Sequence, residues 1–88
     1  MYKYETERNN LFTDEGQRKF LAVRDHIAKL LTTAGAVRMQ EATSVVSGDS
    51  WENMACVDRL VELKEIRELT DADDEVPGQH RIFVRNGE

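Results

Sequence analysis

Residues 48–69, GDSWENMACVDRLVELKEIREL, decide how the rest of the chain is read. Asp49 followed three residues later by Glu52 is a capping-box-like start, in which the first carboxylate takes a backbone N–H of the first turn. Met54, Val57, Leu60 and Val61 then recur at the spacing of one helical face, which predicts a half-buried helix ending at about Leu63. Lys64 stands where a glycine often closes such a helix. Beyond it, Glu65-Ile66-Arg67-Glu68-Leu69 alternates with period two and suits a strand.

Working upstream, Thr13 offers an N-cap, and Asp14 and Glu15 lie where carboxylates favour a helix dipole. Phe20, Val23, Ile27, Leu30, Leu31 and Ala34 form one apolar stripe, leaving Arg18, Lys19, Asp25 and Lys29 wet. Gly35 is the natural stop. A second helix is predicted from near Val37, with Met39, Ala42, Val45 and Val46 inward, until Ser47-Gly48 ends it; helix, short turn and helix follow one another there. Residues 1–12, with Tyr2 and Tyr4 one residue apart, read as a partly ordered arm ahead of a domain at 13–88.

Downstream, TDADDEVPGQ at 70–79 holds the turn signal Pro77-Gly78, and His80-Arg81-Ile82-Phe83-Val84-Arg85 reads as a returning strand before a short tail. The predicted core is Phe20, Val23, Ile27, Leu30, Leu31, Val45, Met54, Val57, Leu60, Val61, Ile66, Ile82 and Val84.

With 88 residues, 40% hydrophobic and 33% charged, one domain is the economical reading. A chain of this size buries roughly 60–65% of its unfolded surface, too little for a core plus a deep enclosed active site. No apolar run approaches the length of a membrane span, and the N-terminus lacks the apolar centre of a secretory signal, so a cytoplasmic protein is expected. Cys56 is the only cysteine, which rules out an internal disulfide; a buried, inert thiol is expected. His26 and His80 have no zinc-ligand spacing. Asp71, Asp73 and Glu75 fail as a calcium loop, whose sixth and twelfth positions would be Val76 and Ile82. Without a phosphate cradle, nucleophile elbow or paired catalytic carboxylates, no enzyme, cofactor or metal is expected.

Residues 13–85 have the layout of a winged helix-turn-helix domain. Val57-Asp58-Arg59-Leu60-Val61-Glu62-Leu63-Lys64-Glu65-Ile66-Arg67-Glu68-Leu69 resembles the end of its recognition helix and first wing strand, and Gln79-His80-Arg81-Ile82-Phe83-Val84 resembles the last wing strand, as in small bacterial and phage regulators. The resemblance implies an α+β fold, three helices followed by a two-stranded β-hairpin wing, with room for a small third strand from the arm or from the turn before the second helix. It also implies a third helix in the major groove and a wing along the phosphate backbone. On that reading the chain is a transcriptional regulator binding double-stranded DNA. Ser50, Trp51, Asn53 and Arg59 would enter the groove, and Arg38, His80, Arg81 and Arg85 would hold phosphates.

The charges pull the other way. Net charge is −5, the outer face of the third helix shows Glu52, Ala55, Asp58, Arg59 and Glu62, and the wing adds Asp71, Asp73, Asp74 and Glu75. Phosphate affinity rests on Lys and Arg, so both elements that should approach DNA carry the wrong sign. The alternative is an acidic winged-helix adaptor or inhibitor, mimicking DNA, that sets Glu52, Asp58, Glu62, Asp71, Asp73, Asp74 and Glu75 against a basic protein surface. The arginines then pair with neighbouring acids, and Trp51 either folds over the corner as core or stands out as an anchor. A homodimer through Trp51 or the N-terminal tyrosines fits either reading.

Overall fold

A computed structural model describes residues 2–69 and 80–87. Helix α1 (Tyr4–Glu7) leads through a 3₁₀ segment (Arg8–Phe12) into α2 (Asp14–Ala34). Strand β1 (Ala36–Arg38), helix α3 (Met39–Ala42), helix α4 (Ser50–Glu62) and strands β2 (Ile66–Leu69) and β3 (Ile82–Arg85) follow. The described chain is therefore α+β, with four α-helices and one antiparallel sheet in the order β1-β3-β2.

Local chemistry sets the boundaries. The Thr13 hydroxyl accepts the Gly16 N–H at 3.0 Å and caps α2. At the other end Gly35, at φ 80°, donates its N–H to the Leu31 carbonyl. Asp49 caps α4 by accepting the Trp51 N–H at 2.9 Å, while Glu52 turns to Lys19 of α2 instead of closing the box. Helix α4 ends in a Schellman pair, Glu65 N–H to Leu60 O and Lys64 N–H to Val61 O, both 3.0 Å, with Lys64 at φ 65°. A left-handed lysine costs about 1 kcal/mol that glycine does not. Lys64→Gly is thus expected to stabilise the chain by no more than about 0.5 kcal/mol net of its extra unfolded entropy, read as a urea midpoint equal to or above the parent's; a lowered midpoint refutes the cap.

Several expectations change. Among the described residues four α-helices and three strands stand where three helices and a two-stranded hairpin were expected, the third strand being the one allowed for in the turn before the second helix. That second helix shrinks to Met39–Ala42, because Val37 is drawn into β1 opposite Phe83. Val45, expected inside, is consequently half exposed. Residues 4–12, read as a partly ordered arm, form helical turns, and Leu11 is 1% exposed. On β3 the buried side chain is Phe83, at 0% exposure, so Ile82 and Val84 face away from the helices. A strand's side-chain period of two leaves no compromise between those assignments.

The remaining core matches the stripes, with Phe20, Val23, Ile27, Leu31, Met54, Val57, Leu60 and Ile66 buried and Leu30 and Val61 packed at its margin. Val37, Met39, Ala42, Ala55 and Cys56 join them. Helix α4 packs against α2, the N-terminal helical segment, α3 and β2.

Candidate interaction surfaces

The face of α4 expected to meet solvent is covered by residues 2–12. The Tyr2 hydroxyl donates to Asp58 and the Tyr4 hydroxyl to Glu62, the latter at 2.7 Å. Glu62 also accepts from Arg8 at 3.0 Å and from Arg59 at 2.5 Å, and both guanidiniums stand over the Phe12 ring, 5.1 and 5.4 Å from its centre. Hydrogen bonds from Tyr4, Arg8 and Arg59 hold the Glu62 carboxyl down to about 2, so it stays charged across the neutral range. Burial and the bond to Glu62 push the Tyr4 phenol up to about 12, which keeps it a donor. Beneath them Ala55, expected on the outer face, is fully buried.

A second network ties α4 to the sheet. Arg81 donates to both oxygens of Asp58, at 3.2 and 2.7 Å, and to both oxygens of Glu68, at 3.0 and 2.8 Å, while lying over the Phe83 ring. Burial works against its charge, but the bonds to Glu68 and Asp58 outweigh that and raise its pKa further. Two bidentate carboxylates occupy four of the five N–H donors of one guanidinium.

The expected DNA-contacting residues therefore fall into three groups. Arg59 and Arg81 are consumed by carboxylates of their own chain. Asn53 is buried beneath the first turn of α4, its Nδ2 reaching the Ser47 carbonyl and its Oδ1 unpartnered among the described residues. Ser50, Trp51, Arg38, His80 and Arg85 are exposed, Trp51 at 41%, so its ring does not close the corner as core. Of the acids expected to dock on a partner, Glu52, Asp58 and Glu62 are each engaged by cations of the same chain. Asp71, Asp73, Asp74 and Glu75, like the failed calcium loop, lie outside the described residues.

Sequence reasoning missed the residues that close α4: Tyr2, Tyr4, Arg8 and Phe12. Their signal was in α4 itself, where Met54-Ala55-Cys56-Val57 is an unbroken small or apolar run spanning more than one helical face. A helix apolar on several sides needs cover on several sides.

His26 on α2 brings Nε2 to 3.3 Å from the Ser44 hydroxyl, the spacing of a nucleophile and its base. The Glu41 carbonyl takes up both groups, 3.1 Å from the ring nitrogen and 2.8 Å from the hydroxyl, so the contact closes α3 against α2. Burial, with Glu52 nearby, pushes the Cys56 thiol up to about 11, the opposite of a reactive cysteine. Among the described residues no cluster of metal-ligating side chains occurs, and no helix is long and apolar enough to cross a membrane.

Compared with known protein families, with curated proteins and with solved structures, the chain finds no match.

Proposed function

We propose that the chain is a winged-helix domain that works as a protein-binding module in a regulatory setting, an adaptor or inhibitor, not a reader of DNA. The order α2-β1-α3-α4-β2-β3, with the last strand in the middle of the sheet, supports the winged-helix reading. The observation that carries the choice of partner is the closure of α4. Residues 2–12 pack over its outer face, and each arginine on it or beside it is matched to a carboxylate. A groove-reading helix needs the opposite, an open face with cations to spare.

The second reading, duplex DNA binding, draws on the same element order and on the open first turn of α4, where Ser50 and Trp51 are exposed. A salt series with a short duplex separates the two. The protein-binding reading expects no complex at about 50 mM salt at protein concentrations up to about 100 μM, the range of ordinary non-specific binding. A complex that forms at low salt, weakens steeply as salt rises and is lost in Arg38→Ala or Arg85→Ala would establish the second reading.

A further inference from the structure

We infer that the outer face of the sheet is a docking surface for an extended partner segment carrying carboxylates and apolar side chains. This rests on the protein-binding reading and names where the partner sits and what it is made of.

Because Val37, Phe83 and Ile66 point into the core, the register places Ala36, Val84 and Arg67 in one outward row and Arg38, Ile82 and Leu69 in the next. Each row is two apolar residues and one arginine, and the arginines stand at opposite edges. No carboxylate belongs to either row. Ala36, Arg38, Arg67 and Leu69 are exposed, so no described element covers the face. An open groove of about 470 Å³ continues from it to the end of α2, between Leu31 and Gly35 on one side and Val84 and Arg85 on the other.

Arg8, Arg24, Arg59 and Arg81 all form ion pairs. Arg38 and Arg67, the arginines of these two outward rows, form none among the described residues, in a chain of 17 acids against 12 lysines and arginines. Two arginines with no ion-pair partner among the described residues thus stand on this face beside apolar side chains, the exposed Leu69 among them.

Charge and shape choose among occupants. A second copy would set arginine against arginine between two chains of charge −5. A duplex could use the arginines but would press Ile82, Val84 and Leu69 against a hydrated phosphate backbone with no apolar surface to bury. A peptide answers both parts. At standard strand spacings the Arg38 and Arg67 backbones lie roughly 12 Å apart across β3, and an extended chain presents carboxylates four residues apart at about 13 Å on one face with an apolar residue between them.

The test is an amide-signal titration of the full chain with three probes: a peptide with Glu at its first and fifth positions around a central Leu, its Lys-for-Glu counterpart, and a short duplex. The Glu peptide is expected to shift signals of β1 and β3, with Arg38→Glu plus Arg67→Glu lowering its affinity at least about tenfold and conferring binding of the Lys peptide. Leu69→Ser, which leaves both arginines in place, should weaken binding several-fold and so reads the apolar half. No binding of the Glu peptide, indifference to the arginines, or self-association through this face overturns the inference. Binding of the Glu peptide elsewhere removes this placement and leaves the protein-binding reading standing. Shifts from the duplex confined to the first turn of α4 overturn that reading itself.

Discussion

Gly16→Ala is expected to destabilise the chain by about 2–4 kcal/mol, where the same change in an ordinary helix adds about 0.5–1 kcal/mol. The sign reverses because the 3₁₀ segment crosses the first turn of α2 without room for a methyl group. A Cβ at Gly16 would lie 2.1 Å from the Asn10 carbonyl oxygen and 2.7 Å from the Leu11 Cα. Both are backbone atoms, so no rotamer change relieves the clash; the segment has to lift. Lifting it withdraws Leu11 from the core and breaks the Thr13 hydroxyl bond to the Asn10 carbonyl, 3.0 Å, along with the Gln17 side-chain bond to the Leu11 carbonyl. The loss is read from the urea midpoint, and faster proteolysis after Arg8 should show that the N-terminal segment is what comes away. A midpoint equal to the parent's or higher would refute the close crossing. The same contact fixes the cover over α4, so this glycine, inside the first turn of a helix, holds shut the face that a DNA reader would open.

Much of the backbone was legible in the sequence because its boundaries are set locally. The Thr13 and Asp49 caps, the Gly35 stop and the left-handed position at Lys64 depend on residues within a turn of one another. The apolar stripes of α2 and α4 were legible for the same reason. What failed depended on partners distant in sequence. Val37 fits a helix or a strand, and only its place opposite Phe83, 46 positions away, makes it β1. In the run Ile82-Phe83-Val84 every residue is apolar, so alternation could not choose which side chain turns inward. The surface readings missed for a related reason. Asp58 and Glu62 looked like a free acidic stripe on a helical wheel, yet Tyr2, Arg8 and Arg81 reach them from 56, 54 and 23 positions away. The expectation that the hairpin arginines pair with acids of their own chain holds for Arg81; among the described residues it does not extend to Arg38, Arg67 and Arg85.

Arg81→Ala should cost about 3 kcal/mol at neutral pH, because it leaves Asp58 and Glu68 partly buried and facing one another without their shared cation. The guanidinium is 18% exposed and its two partners 12% and 25%, so water replaces it poorly. The pH dependence separates this charge effect from lost packing on Phe83. In the parent chain Arg81 stays protonated at every accessible pH, its proton held by Glu68 and Asp58 against the pull of burial. In the variant, two like charges face one another without a cation, and acid removes that repulsion, so its deficit is greatest at neutral pH and shrinks as pH falls toward about 4. Arg81→Met keeps an unbranched side chain over the Phe83 ring and should show nearly the same loss and the same recovery in acid. A deficit equal at pH 7 and about pH 4 would mean that packing carries the effect, not charge. The result also bears on function. An arginine placed for phosphate would leave stability almost untouched when removed and would weaken a duplex complex, whereas one that bolts α4 to the sheet does the reverse.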